Sequence, residues 1–173
     1  MINFSASGTK TQMHKSSMSA QSTTLRPFNI EIGDDEWLKL WSQRKDIQEI
    51  SDDSSITISD MDEEVLERNA IQMIEHYADT VGCVSMMYDN NRSSVTLGIV
   101  IAEPENRKRG IGSSALSKTL EQIRKDKKIK MVHAYVYRDN YAAVRLFEKH
   151  FFEIAGQVLF KRKATLHYTL KLQ

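Results

Sequence analysis

The spacing of apolar residues in the second half of the chain predicts a strand followed by a helix. The run 97–102 is continuously apolar and rich in β-branched residues, which is typical of a buried strand. Over 113–127 the apolar residues Leu116, Leu120 and Ile123 recur at helical spacing. A loop that contains two glycines and three cations joins the two predicted elements.

The rest of the pattern predicts one α/β domain with a mixed, mostly antiparallel twisted sheet flanked by helices. Pro27 indicates that the first strand lies at a sheet edge. Strands are predicted at 24–30, 71–77, 81–88, 94–101, 129–137, 152–161 and 164–172. Further helices are predicted from a cap at Asp34 or Asp35, from a cap at Asp60 over 61–68, and from Asn140.

Length and composition place the chain among single-domain proteins. Its 173 residues suit one core, which we expect to span 24–173 after a flexible extension over 1–23. The single cysteine, Cys83, excludes an internal disulfide and is expected to be a buried structural thiol. No membrane span or secretory signal is evident, so a cytoplasmic location is expected. No metal is expected.

The net charge of +1 conceals two halves of opposite sign. Residues 31–67 hold 13 acidic residues against three basic ones, whereas residues 104–173 hold 16 basic residues against six acidic ones. An acidic surface raises the local concentration of a cationic amine. The alternative is that these charges are solvated helix faces and caps.

The loop at 103–112 has the features of an anion site. A helix that starts after it presents unpaired N–H groups and the positive end of its dipole. Gly110 and Gly112 let the backbone approach a phosphate closely, and three cations add positive charge at the rim. The alternative is an ordinary strand-to-helix turn with solvated cations.

Two motifs in this order resemble the GNAT superfamily of N-acetyltransferases. The pattern Gln/Arg-x-x-Gly-x-Gly/Ala is met by Arg107, Gly110 and Gly112. The pattern Asn-x-x-Ala-x-x-x-Tyr/Phe is met by Asn140, Ala143 and Phe147. The sequence 98–104 is similar to the branch of spermidine, amino-sugar and ribosomal-protein N-terminal acetyltransferases. The resemblance is clear over 80–156 and weaker over 24–173.

The resemblance implies a coenzyme A site on these elements. The pantetheine arm is expected along Ile99, Val100 and Ile101, through backbone groups that include an oxyanion hole. The pyrophosphate is expected on the amides of 107–113, and Asn140 is expected to bind the coenzyme, to cap its helix, or both. The residues expected to contact acetyl-CoA are Ile99, Val100, Ile101, Arg107, Lys108, Arg109, Gly110, Ile111, Gly112, Ser113, Asn140, Phe147 and Lys149.

The proton-transfer residues depart from the family pattern. Phe147 stands where many family members have a tyrosine that can donate a proton, and Thr96 stands where a glutamate that acts as the base is common. His133 and Tyr135 alternate onto one face of their strand and are candidate catalytic groups, and Tyr141 is a candidate acid. Glu75 and His76 are further candidates for the base.

We therefore expect an acetyl-CoA-dependent N-acetyltransferase acting on a primary amine. The acidic half favours a polyamine, an aminoglycoside-like amine or a basic protein N-terminus, and an amino sugar is left open. The alternative from Phe147 and Thr96 is a non-catalytic acyl-CoA-binding regulatory module. Nucleic-acid binding is disfavoured because no aromatic residues are interleaved with the cations. No membrane partner is expected, and a homodimer is compatible with the sequence.

Overall fold

The computed structural model describes residues 22–50 and 69–173. The predicted helix over 61–68, its cap Asp60 and most of the predicted extension lie outside the described residues.

Seven strands form one sheet. They are β1 (Thr23–Pro27), β2 (Asn69–His76), β3 (Asp79–Tyr88), β4 (Ser94–Ile101), β5 (Met131–Tyr137), β6 (Glu153–Phe160) and β7 (Lys163–Lys171). Their order in the sheet is β1-β2-β3-β4-β5-β7-β6. Every neighbouring pair is antiparallel except β4 and β5, which are parallel. The predicted mixed, mostly antiparallel sheet with a β1 edge is confirmed.

Helices pack on both faces of this sheet. The described helices are α1 (Asp34–Ser42), α2 (Lys45–Ile50), α3 (Ile111–Ile123) and α4 (Tyr141–Lys149), with 3-10 turns at Ile30–Ile32 and Pro104–Asn106. Side chains of β4 alternate between two apolar layers. Val95 and Leu97 belong to the layer that holds residues of α3 and α4, whereas Val100 belongs to the layer that holds α1 residues such as Trp41.

The start of α1 differs from the prediction. Gly33, with φ of 84°, is the N-cap, and no side chain caps the helix. Asp34 is instead 1% exposed and accepts hydrogen bonds from Arg26 and from the N–H of Asn29. Burial acts to raise the pKa of Asp34, but these hydrogen bonds hold it below its usual value. Asp34 is therefore a neutralised structural carboxylate and adds nothing to an acidic surface.

The turn after α4 holds a phenylalanine in a left-handed conformation. Phe151 has φ of 65°, its side chain is 84% exposed, and its N–H donates to the carbonyl of Glu148 at 3.0 Å. This conformation costs a residue with a Cβ about 1–2 kcal/mol and costs glycine almost nothing.

We expect Phe151→Gly to raise the free energy of unfolding by about 0.5–1 kcal/mol in urea denaturation, after allowing for the extra entropy of glycine in the unfolded chain. Phe151→Ala is the matched control, because it removes the same exposed ring but keeps the strain. Equal gains in the two variants would contradict the explanation.

Candidate active site

β4 and β5 lie side by side for only three residue pairs. The paired residues are Ser94–Met131, Val95–Val132 and Thr96–His133. Beyond them β4 stays paired with β3 as far as Ile101, and β5 stays paired with β7 as far as Tyr137. The two strands therefore diverge after Thr96 and His133. The opening between 97–101 and 134–137, here called the strand gap, widens towards the carboxyl ends of both strands.

Alternate residues of β4 direct their backbone groups into the strand gap. The N–H of Ala102 donates to the carbonyl of Val81 at 2.8 Å, so the backbone groups of Ala102 point towards β3. Residues two apart on a strand point their backbone groups to the same side, so those of Val100 point towards β3 as well. The backbone N–H and carbonyl groups of Ile99 and Ile101 therefore face the strand gap. On that side, Arg107 Nε donates a hydrogen bond of 2.9 Å to the carbonyl of Ile101.

The prediction for Val100 needs correction for this reason. Its backbone groups pair with Cys83 on β3, and its side chain is only 6% exposed. The backbone alternation leaves Ile99 and Ile101 as the residues able to bind an extended ligand as an added strand.

Helix α3 begins at the open end of the strand gap. Its N-cap, Gly110, has φ of 83°, and no side chain caps the helix. The first intrahelical bond runs from the N–H of Ser114 to the carbonyl of Gly110 at 3.0 Å. The N–H groups of Ile111, Gly112 and Ser113 are thus the ones that a helix start leaves unpaired within the helix.

The space in front of α3 is open. A Cβ built on Gly110 meets no atom within 4 Å, whereas one on Gly112 lies 3.7 Å from Ile101 Cγ1 and 3.7 Å from Leu146 Cδ2. The helix start is therefore packed against the end of β4 and against α4, and its N–H groups lie beside an accessible space. This arrangement fits a phosphate or pyrophosphate.

The three cations before α3 have different surroundings. The Arg107 side chain donates to the carbonyls of Ile101 and Ala102 and to Asp46, at 2.9, 2.8 and 2.7 Å. Arg107 therefore braces the loop, and the expectation that it adds free charge at the rim is wrong. Lys108 and Arg109 are exposed.

Arg107 belongs to an ion-pair network that joins α2 to the loop before α3. Asp46 on α2 accepts from Arg44 at 3.0 Å and from Arg107 at 2.7 Å, and Arg44 also contacts Glu103 at 3.5 Å. Hydrogen bonds from Arg44 and then Arg107 lower the pKa of Asp46 from 3.8 to about 2. The charged form of Asp46 therefore stabilises the folded loop.

The lowered pKa of Asp46 makes the stability of the fold depend on pH, and the variant Asp46→Asn isolates this contribution. Because the folded pKa lies below the unfolded value, the contribution of Asp46 is fully present above about pH 4 and is lost as the pH falls through about 2. We expect the difference in urea midpoint between wild type and Asp46→Asn to be constant from pH 7 to about 4 and to shrink below that. A difference that stays constant down to pH 2.5 would contradict the assignment.

The other predicted coenzyme residues lie near α4. Ser113 Oγ is hydrogen-bonded to His150 Nε2 at 2.8 Å, so its backbone N–H is the group left for a ligand. Asn140 Oδ1 accepts from the N–H of Ala143 at 3.1 Å, which confirms the helix cap. Lys149 is exposed at the end of α4. The predicted contact from Phe147 is disfavoured, because this ring is 3% exposed and packs in the core.

Two of the candidate catalytic side chains, those of His133 and Tyr135, lie on β5 near the closed end of the strand gap. His133 is the last residue of β5 paired with β4, and its Nδ1 lies 3.0 Å from Nε2 of His167 on β7. The Tyr135 ring stacks on the His167 ring at 4.6 Å with an interplanar angle of 7°. His133 and Tyr135 thus share a face as predicted, while His167 was missed. Tyr141 is 70% exposed at the first residue of α4.

Other titratable candidates have structural partners elsewhere. Glu75 is ion-paired with Arg26 at 2.7 Å, and His76 is 3% exposed with Nδ1 at 3.1 Å from Ser22 Oγ. Burial raises the pKa of the Cys83 thiol to about 12, which confirms the predicted buried thiol. Glu75 and His76 therefore hold the β1–β2 side of the sheet in place.

Comparison with known proteins gives the class. Residues 23–153 match the family described as Acetyltransferase (GNAT) domain, and the chain belongs to that family. It is an N-acetyltransferase that uses acetyl-CoA as its donor. No curated protein matches the sequence.

Solved structures share the fold. An aminoglycoside acetyltransferase, AAC(6')-Ib, in complex with coenzyme A is 16% identical, with a TM-score of 0.72 over 87% of this chain and 95% of that one. Spermidine N-acetyltransferase from Vibrio cholerae in complex with CoA and spermine is 15% identical, with a TM-score of 0.71 over 87% of this chain and 96% of that one. A domain from Methanocaldococcus jannaschii is 19% identical, with a TM-score of 0.68 over 87% of this chain and 98% of that one.

The described residues contain neither a candidate metal site nor a membrane-spanning helix. Across 22–50 and 69–173, no group of three or more His, Cys, Asp or Glu is placed to hold a metal ion. None of the helices in those ranges has the length and hydropathy needed to cross a membrane.

Proposed function

We propose that this N-acetyltransferase acetylates a cationic primary amine, such as a polyamine or an aminoglycoside-like amine, by direct attack of the amine. The observation that carries the proposal is the position of His133 at the closed end of the strand gap, level with Thr96, with Tyr135 two residues further along β5. A basic group at this point lies next to the predicted path of the acyl donor.

Backbone N–H groups and His133 have separate roles in the proposed acetyl transfer. Bound acetyl-CoA supplies a thioester, whose carbonyl carbon the amine attacks. The N–H groups of Ile99 and Ile101 are positioned to bind an extended chain and to stabilise an oxyanion. The N–H groups of Ile111, Gly112 and Ser113 bind the pyrophosphate. His133 accepts the proton that the ammonium group must lose before it can attack.

The protonation state of His133 suits a base. Burial, and then the neighbouring His167, lower its pKa below the ordinary 6.5. His133 is therefore neutral at pH 7 and able to accept a proton. Phe147 offers no acid, so the thiolate leaves unassisted or receives its proton from Tyr141 or solvent.

The choice of a cationic amine rests on two supports. Residues 31–67 contain 13 acidic residues. Two structural neighbours carry the names of aminoglycoside and spermidine acetyltransferases. Of the acidic residues in 31–67, Asp34 and Asp46 are neutralised by arginines, and those at 52–67 lie outside the described residues.

The proposal is tested by thiol release from acetyl-CoA with a panel of spermidine, an aminoglycoside, glucosamine and a basic peptide with a free N-terminus. We expect the highest kcat/KM for spermidine or the aminoglycoside. A preference for glucosamine, which carries a single amino group, would refute the choice of a polyamine or an aminoglycoside-like amine as the acceptor. Binding of coenzyme A without thiol release from any amine would favour the regulatory module.

A further inference from the structure

A pair of histidines from two strands lies on one face of the sheet. In the antiparallel register of β5 and β7, His133 stands opposite Thr169 and Tyr135 stands opposite His167. The two histidines are thus diagonal neighbours, and His133 Nδ1 lies 3.0 Å from His167 Nε2. This distance is that of a hydrogen bond, so one ring donates an N–H and the other accepts.

Tyr135 holds the ring of His167 in place. The two rings are stacked with their centroids 4.6 Å apart and their planes nearly parallel, at 7°. His133 also lies against His167, at 5.2 Å between ring centroids and 24° between planes. Stacking on one side and the hydrogen bond at Nε2 together restrict rotation of the His167 ring.

We propose that His167 is a positioning residue for acetyl transfer: its Nε2 accepts the Nδ1–H of His133 and thereby leaves Nε2 of His133 as the basic atom. A neutral imidazole carries its proton on one nitrogen only, and the hydrogen bond at that nitrogen selects the tautomer. The inference rests on the proposed function, because it assigns the orientation of the base that the function requires.

The acceptor ammonium, His133, the thiolate and solvent account for every proton and electron pair in the proposed reaction. Nε2 of His133 takes one proton from the acceptor ammonium, and the resulting imidazolium keeps its Nδ1–H bonded to His167. The neutral amine then attacks the acyl carbon, and the carbon–sulfur bond breaks with its electron pair on the thiolate. The product is an amide once the attacking nitrogen has lost its remaining extra proton to solvent, and His133 becomes neutral again when it releases its proton to the thiolate or to solvent.

The charged and titratable neighbours of His133 are few within the described residues. Tyr135 lies two residues along the same strand, His167 faces it from β7, and Asp89 at the β3–β4 turn acts to raise its pKa. Thr96 on β4 and Thr169 on β7, which are level with His133, carry no charge. The direct partner of Nδ1 is therefore His167.

The first test is the tautomer of His133, read by ¹³C and ¹⁵N NMR of histidine-labelled protein at pH 8 without substrate. We expect wild type to hold the Nδ1–H tautomer. His167→Phe keeps a ring against Tyr135 but removes the acceptor, so we expect the Nε2–H tautomer to appear. His167→Gln can accept from the same position and should restore the Nδ1–H form. An Nε2–H tautomer in wild type would overturn the proposal.

The second test is the steady-state kinetics of acetyl transfer in the same variants. We expect His167→Phe to lower kcat about tenfold, part of the 100-fold or more that a general base contributes, with KM for acetyl-CoA unchanged. His167→Gln should recover most of that loss. His133→Phe should lose at least as much as His167→Phe.

The outcomes separate this proposal from the proposed function. A wild-type tautomer as expected, with kcat unchanged in His167→Phe, would overturn the positioning role while the enzyme stays active. A fall in kcat that His167→Gln fails to restore would indicate a structural role and would also overturn it. Failure of wild type to acetylate any amine would overturn the proposed function, and the NMR result would then report the hydrogen bond alone.

Discussion

Gly82→Ala is expected to destabilise the fold by about 3 kcal/mol or more. A Cβ on Gly82 would lie 2.1 Å from the carbonyl oxygen of Val100, 3.0 Å from the carbonyl carbon of the same residue and 3.1 Å from Ile101 Cα. These are backbone atoms, so no side-chain rotation relieves the overlap. β3 and β4 must separate at this point, and β4 carries the backbone edge that faces the strand gap.

Urea denaturation measures the effect, with Gly156→Ala as the matched control. Gly156 also lies in a strand, beside a register shift of β6, but a Cβ there meets no atom within 4 Å. We expect the control to change the free energy of unfolding by about 0.5 kcal/mol or less. Similar losses in the two variants would show that the close contact between Gly82 and Val100 is not what excludes a side chain. In any Gly82→Ala protein that folds, the affinity for coenzyme A should also fall.

Gly110→Glu is expected to weaken coenzyme A binding by about 100-fold, since each hydrogen bond to a charged group contributes about 1.5–3 kcal/mol. The new carboxylate would occupy the open space before α3 and repel a pyrophosphate from the N–H groups of Gly112 and Ser113. Calorimetric titration with coenzyme A measures the loss. Unchanged affinity would refute the location of the site.

The same substitution should leave the fold nearly as stable as before. A left-handed φ of 83° costs a residue with a Cβ about 1–2 kcal/mol, and a negative charge at the start of a helix returns about 0.3–1 kcal/mol. Gly110→Gln is the matched control, because it has the same size and strain without the charge. We expect it to bind coenzyme A more tightly than Gly110→Glu. Equal affinities would mean that bulk alone blocks the site.

Elements with a strong local pattern were predictable from the sequence. The predicted strand at 94–101 matches β4, and the predicted helix from Asn140 matches α4 with Asn140 as its cap. The turn between the second and third strands was predicted at 78–80 but lies at 77–78, because β3 already starts at Asp79. Tyr77 and Ala78 form it with φ of 52° and 71°, and neither residue type signals a left-handed turn.

Contacts between distant segments were not predictable in the same way. Arg107 pairs with Asp46, 61 residues away, and no local pattern identifies that partner. His167 meets His133 only because β7 pairs with β5 in one particular register. Alternation along 164–172 places His167 on one face of a strand, but the neighbour of that face depends on the sheet order. The loop between β4 and α3 could therefore be located from sequence, whereas the side-chain hydrogen bonds around it could not.

Amide hydrogen exchange with and without coenzyme A is the sharpest test of the proposed coenzyme site, because it measures the backbone N–H groups themselves. We expect the N–H groups of Ile99, Gly112 and Ser113 to exchange more slowly when coenzyme A binds, while that of Val100 is protected in both states by its pairing with β3. Exchange at Ile99, Gly112 and Ser113 that is unchanged at saturating coenzyme A would contradict a site formed by the strand gap and the start of α3.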